Sequence, residues 1–225
     1  MSIHFSRRKV LTQGAALTTA VGALRSASSQ VLLDEALADA TPGQVLGPVY
    51  PVEKPRDRDS DLTIIGRNGE RAEGQVIHMS CRVLDMDGVP VPRTDIELWQ
   101  ANTHGRYTHP ADVNPAPIDP NFEGYAALRS DRDGYFSFKT IKPGAYPAGV
   151  DNIRPPHIHF LIEGKRTRLV TQMYFPGEEF NETDGALQSV APEQQHALIA
   201  NPRPLESGMD SDALHFGWDI RLAAG

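Results

Sequence analysis

Leu214, Phe216, Trp218, Ile220 and Leu222 recur in strict period two, a spacing that lines up five large apolar side chains on one face of a single strand. The same alternation appears at Ile77, Met79, Cys81 and Val83, at Ile96 and Leu98, at Phe136 and Phe138, and along the runs 157–162 and 169–175. Strands with one apolar face need a second layer to cover it, so the pattern demands packed sheets. Turn residues separate the runs: Asp87-Gly88, Pro90-Val91-Pro92, Ser130 to Gly134, and Lys142-Pro143-Gly144. With 19 glycines and 18 prolines among 225 residues, Gly and Pro exceed their usual combined share of about 12%, which excludes a coiled coil or helical bundle. Only Pro192 to Ala200 reads as helix, with proline in its first turn and Glu193 complementing the dipole. The expected fold is all-β, an antiparallel β-sandwich with long loops, over residues 74–225. Residues 31–73 lack periodicity and carry alternating charges from Lys54 to Asp61, and so read as an extended N-terminal arm.

The first 30 residues differ from the rest. Arg7, Arg8, Lys9 and Arg25 stand there with no acid, ahead of a modest apolar run from Ala15 to Leu24 and the small residues Ser26 to Ser29. This is the pattern of a cleavable export signal, and the paired arginines point to the twin-arginine route. The expectation is export to the periplasm or beyond, with cytoplasmic residence as the alternative. Gly14, Thr18, Thr19 and Gly22 interrupt the run, which is too short for a stable membrane span. Of the 22 basic residues, 18 remain after this segment against 29 acids. A body so acidic repels nucleic acid and anionic membrane and directs attention to small-molecule chemistry. Cys81 is the only cysteine, which rules out intrachain disulfides and thiolate metal clusters. Any metal must bind His, Tyr, Asp or Glu.

His157-Ile158-His159 is the sharpest local feature, because residues i and i+2 of a strand face the same way and can share one ion. Arg154-Pro155-Pro156 just before it is a stiff, extended entry. Further ligands divide into two options. Glu163 lies on the same strand face and completes His-x-His-x-x-x-Glu, the spacing of cupin-type sites. Tyr107 and Tyr146 stand at the ends of strand-like segments, on loops, where a rigid scaffold positions functional groups. Trp99 either lines the pocket or packs in the core, with the core as the first expectation.

Eight blocks, in order, resemble a known family: Gly47-Pro48-Val49-Tyr50-Pro51, Val83 to Pro92, Glu97-Leu98-Trp99-Gln100-Ala101-Asn102, Gly105-Arg106-Tyr107, Asp133-Gly134-Tyr135, Lys142-Pro143-Gly144-x-Tyr146-Pro147, Arg154 to Phe160, and Thr171-Gln172-Met173-Tyr174-Phe175. The series is similar to that of the intradiol ring-cleavage dioxygenases, nearest the protocatechuate 3,4-dioxygenase type, over about residues 47 to 222. The resemblance implies a non-haem Fe(III) held by Tyr107, Tyr146, His157 and His159. It also implies a reaction in which a catechol-type substrate and O2 give a muconate-type diacid. Tyr146 matches the tyrosinate that is displaced and takes a substrate proton. Arg154 matches the arginine that steadies the electron-rich ring, and Gln172 a glutamine of the substrate pocket. Ala148 stands where that branch carries a tryptophan, which implies a more open pocket wall. The family also implies an oligomer, homo- or hetero-.

Two other readings compete. Asp87 to Tyr146 also resembles non-catalytic transthyretin-like binding modules, a pattern that leaves Arg154 to His159 and Gln172 unexplained. A cupin-like metal enzyme would use His157, His159 and Glu163 and leave both tyrosines idle.

Overall fold

The computed structural model describes residues 39–66, 69–149 and 152–223. The export-signal expectation for residues 1–30 lies outside the described residues. Among the described residues, no helix is long and apolar enough to cross a membrane.

Ten strands form in chain order: β1 (Val76–Asp85), β2 (Asp95–Trp99), β3 (Tyr125–Arg129), β4 (Tyr135–Ile141), β5 (Tyr146–Pro147), β6 (Ile153–Arg154), β7 (His157–Glu163), β8 (Arg168–Tyr174), β9 (Asn201–Arg203) and β10 (Leu214–Leu222). They make one sheet in the order β4-β1-β10-β9, a second in the order β3-β2-β7-β8, and the small β5-β6 hairpin. The alternation read from the sequence decides which faces meet. Ile77, Met79, Cys81 and Val83 of β1, Phe136 and Phe138 of β4, and Phe216, Trp218, Ile220 and Leu222 of β10 pack against Ile96 and Leu98 of β2, Ile158, Phe160 and Ile162 of β7, and Met173 of β8 in one buried cluster. At its centre the Phe160 and Trp218 rings lie 4.9 Å apart. Truncating a ring in such a place costs about 3–5 kcal/mol, much of a domain's net stability of about 5–15 kcal/mol.

Among the described residues every pair of these strands is antiparallel except one. β1 and β10 run parallel, with Ile77 beside Leu214 and Cys81 beside Trp218, so the first sheet is mixed where a purely antiparallel one was expected. Alternation specifies the buried face of a strand and carries no information about its direction. β1 and β10 are also joined by most of the chain, so no hairpin turn constrains them. The helical expectation at 192–200 resolves into a 3-10 turn at Gln195–Leu198. A four-residue helix absent from the sequence reading, α1 (Gly185–Gln188), is capped by the Asp184 carboxylate, which accepts from the amides of Ala186 and Leu187.

The segment before β1 runs along the edges of both sheets. Arg58 C=O accepts from the Ala127 amide of edge strand β3, and Ser60 and Leu62 exchange backbone hydrogen bonds with Lys139 of edge strand β4. The Gln44 amide donates to Val170 of β8, and Thr41 donates to Arg221 of β10. Leu62 drops into the core, fully buried. Open strand edges are sites of unwanted pairing, and this extended chain covers them.

Candidate active site

The alternation of β7 has two consequences. Ile158, Phe160 and Ile162 enter the sandwich core, so His157 and His159 necessarily face the other side of the sheet. That side is not solvent: both histidines are buried under a second apolar cluster that includes Trp99, Tyr107, Tyr125 and Leu161. Sheet register sets His159 between Trp99 of β2 and Gln172 of β8, and His157 beside Tyr174 of β8.

The tyrosines reach the histidines from two loops that approach each other closely. Gly105 has a φ of 73°, in the left-handed region, and a Cβ there would meet Ala145 O at 2.5 Å and Tyr146 Cβ at 2.8 Å. Gly144 faces the same contact from the other loop, where a Cβ would strike the Thr103 carbonyl. Asn102 holds the first loop, its Oδ1 accepting from the His104 and Arg106 amides at 2.9 Å each, and Asp112 Oδ2 accepts from the Tyr107 amide at 2.7 Å. The glycines within Gly105-Arg106-Tyr107 and Lys142-Pro143-Gly144-x-Tyr146 thus let two backbones touch, which brings the Tyr107 and Tyr146 rings to 5.5 Å, edge to face.

Four donor atoms converge as a result. Tyr107 Oη and Tyr146 Oη each lie 3.4 Å from His157 Nε2, and His157 Nε2 lies 3.2 Å from His159 Nε2. His157 Nδ1 is 2.7 Å from Pro155 O, and since a carbonyl can only accept, Nδ1 carries the proton and Nε2 offers its lone pair to the centre. His159 is oriented differently, by the Trp99 indole stacked on it at 4.9 Å with 9° between planes. Trp99 is therefore buried in the second core cluster, on the site face of the sheet, where it both packs as a core residue and supports a candidate ligand. Parity with Ile96 and Leu98 puts Trp99 on the opposite face of β2, and the register with β7 sets it beside His159.

Burial, reinforced by Arg154, holds the His157 imidazole well below its usual range and pushes that of His159 down to about 3. Both rings are neutral at ordinary pH, the form in which imidazole binds metal. Burial, and next the neighbouring Tyr146, raises the Tyr107 phenol well above its usual value. Burial also raises Tyr146, against the opposing pull of Arg154. Two neutral imidazoles and two buried phenols form a donor set suited to a hard, highly charged cation, whose charge offsets that of the phenolates. The residues fit Fe(III). Glu163 does not join them: it is exposed at the far end of β7, where it pairs with Arg168 at 3.2 Å.

Arg154 sits across the β5-β6 ladder from Tyr146. Its guanidinium donates to Gln172 Oε1 at 2.8 Å, to Tyr174 Oη at 3.0 Å, and to Asp184 Oδ2 at 2.9 Å from Nη2 and 3.0 Å from Nε. Burial by itself would lower its pKa, but Tyr146, Tyr174 and Asp184 outweigh that and raise it. The site thus holds one fixed positive charge beside the donor cluster. Gln172 is fully buried, its amide bridging Arg154 and, at 3.4 Å, the carbonyl of Val45. Asp184 and Tyr174 take part without having been singled out in the sequence. Tyr174 lay within a quoted motif, whereas Asp184 had only the signal of a capping residue before a short helix.

Comparison with known proteins agrees with this geometry. The dioxygenase family model matches residues 45–224. The chain is 43% identical over 180 residues to the protocatechuate 3,4-dioxygenase beta chain of Burkholderia cepacia, covering 78% of this chain and 76% of that one. It is 30% identical over 208 residues to the hydroxyquinol 1,2-dioxygenase of Nocardioides simplex, covering 84% and 67%. Among solved structures, the dioxygenase domain of a dioxygenase carbohydrate-binding fusion from Streptomyces sp. SirexAA-E superposes with a TM-score of 0.62 at 27% identity, covering 83% of this chain and all of that one. Neither the transthyretin-like nor the cupin-like reading finds support in these matches. With its sandwich, its paired histidines and its two tyrosines on touching loops, the chain belongs to the intradiol ring-cleavage dioxygenases, oxidoreductases that open catechol-type rings.

Proposed function

We propose that this chain binds Fe(III) through Tyr107, Tyr146, His157 and His159 and opens a catechol-type ring between its two hydroxyl-bearing carbons with O2, giving a muconate-type diacid. The observation that carries the reading is the convergence of Tyr107 Oη, Tyr146 Oη and His159 Nε2 within 3.4 Å of His157 Nε2. Ferric iron bound there would act as a Lewis acid that prepares the catecholate ring for attack by O2.

The protein's own groups do the rest. Tyr146 is half-buried where Tyr107 is buried, which makes it the tyrosine nearer an entering substrate. Because burial raises its pKa, its phenolate oxygen would accept a catechol hydroxyl proton at neutral pH. The guanidinium of Arg154 supplies positive charge where the ring becomes electron-rich. Gln172 keeps one Arg154 nitrogen engaged, and its match to a family pocket glutamine makes it the proposed substrate neighbour of that guanidinium. Ala148 is exposed just after β5, which supports a pocket with room for a larger catechol. The word "beta chain" in the name of the Burkholderia relative supports an oligomer, homo- or hetero-.

The purified protein is expected to contain about one iron per chain and to be red-brown, because phenolate-to-ferric charge transfer absorbs visible light and a site of imidazoles and carboxylates does not. Tyr107→Phe and Tyr146→Phe should each shift or weaken that band. A colourless protein carrying ferric iron overturns the phenolate assignment.

Export by the twin-arginine route is also proposed, on the strength of Arg7-Arg8 and the small residues Ser26 to Ser29. Replacing both arginines by lysine should leave the protein in the cytoplasm as judged by fractionation. Removing residues 1–30 should leave iron content and activity intact. Loss of folding on that truncation would make the segment structural.

A further inference from the structure

The Arg154 guanidinium engages Gln172, Tyr174 and Asp184 as well as the Tyr146 hydroxyl, and these partners are not equivalent. Gln172 Oε1 and Tyr174 Oη each accept only from Nη2. A single contact to one nitrogen leaves the planar group free to turn about that nitrogen. Asp184 Oδ2 accepts from both Nε, at 3.0 Å, and Nη2, at 2.9 Å, so it alone among these acceptors holds the Nε–Nη2 edge of the group. The carboxylate is itself immobile. It is 1% exposed, and its other oxygen, Oδ1, accepts from the Ala186 amide at 2.7 Å and the Leu187 amide at 3.4 Å at the start of α1. One side chain thus joins a helix cap to the fixed charge of the site. Capping needs only Oδ1, and an uncharged asparagine would serve it equally well. The hydrogen bonds of the second oxygen go to Arg154.

We propose that Asp184 is a positioning residue for ring cleavage: it locks the orientation of the Arg154 guanidinium toward the substrate side of the donor cluster. The inference rests on the reading of Arg154 given above and extends it to a residue that touches neither substrate nor metal. Asp184 replaces solvent as the partner of a charge that must not reorganise while the ring becomes electron-rich.

The test uses the iron-loaded, full-length enzyme and four proteins: parent, Asp184→Asn, Arg154→Ala and the double variant. Asp184→Asn keeps the cap and is expected to lower kcat by about 10- to 100-fold, with KM changed less than about 3-fold and the visible band and iron content unchanged. In the Arg154→Ala background the same substitution should lower kcat by no more than about 2-fold, because the group it acts through is gone. A role confined to capping predicts an equal effect in both backgrounds, and that result overturns the proposal. So does parental kcat in Asp184→Asn while Arg154→Ala is slow. Parental turnover in Arg154→Ala instead overturns the reading of Arg154 on which the proposal rests. If Asp184→Asn does not accumulate, Asp184→Ser, which keeps a capping hydroxyl in a smaller side chain, takes its place in the same cycle.

Discussion

Arg154→Ala is expected to keep its iron and its colour while turnover falls about 100- to 1000-fold, the usual loss when one preorganised electrostatic partner is removed. The guanidinium lies beside the donor cluster without belonging to it. It sits across the β5-β6 ladder from Tyr146 and three residues ahead of His157, separated from that histidine by the stiff Pro155-Pro156. Its bonds to Gln172, Tyr174 and Asp184 fix its place before any substrate arrives, so the protein has no reorganisation left to make during the reaction. Lysine should restore activity only in part, because a single ammonium cannot hold the Asp184 fork and face a flat ring at once. Single-turnover measurements with a catechol panel check the prediction. A parental rate in Arg154→Ala, with the visible band intact, would return the arginine to a purely structural salt bridge with Asp184.

His157→Ala and His159→Ala should differ in kind. Each is expected to bring iron content from about one per chain toward zero and to bleach the protein, since two anionic phenolates and one imidazole do not make up the set. His157 has the larger expected effect. Its Nε2 is the atom that all three other donors approach, and its tautomer is set by the Pro155 carbonyl. His159 is held by the stacked Trp99 indole, so a smaller residue at 159 would also remove the ring stacked on that indole. Metal analysis of protein refolded or expressed with ferric iron is the measurement. Full iron and colour in either variant would remove that histidine from the ligand set. The two experiments separate binding from turnover: loss of metal identifies a ligand, and loss of rate with metal in place identifies a group acting on the substrate.

These substitutions fall on residues that were legible in different degrees. His157 and His159 could be assigned to one face of a strand from period two alone, and the structure has them on one face of β7. Tyr107 and Tyr146 could not be tied to them by spacing, since fifty residues and a sheet separate Tyr107 from His157. Resemblance to a family joined the four, and the contact between the Gly105 and Gly144 backbones is what joins them physically. Trp99 packs in a buried cluster as a large aromatic is expected to, and parity with Ile96 and Leu98 together with its register opposite His159 makes that cluster the one over the site.

From its order of residues alone this protein was bound to be a β-sandwich, because alternation is a local property that each short run expresses independently of the others. The runs also named the core, and Ile158, Phe160, Trp218 and Ile220 all lie in it. Direction and proximity are not local. That β10 lies parallel to β1, that residues 58–62 close the edges of β3 and β4, and that Asp184 reaches Arg154 across thirty residues are outcomes of how the two sheets and their loops fit together. A carboxylate before a short helix reads the same in any chain as a cap. Only when β6, β8 and the segment leading into α1 are packed does its second oxygen face a guanidinium, and long-range packing of that kind leaves no periodic mark in the sequence because no repeating local geometry produces it.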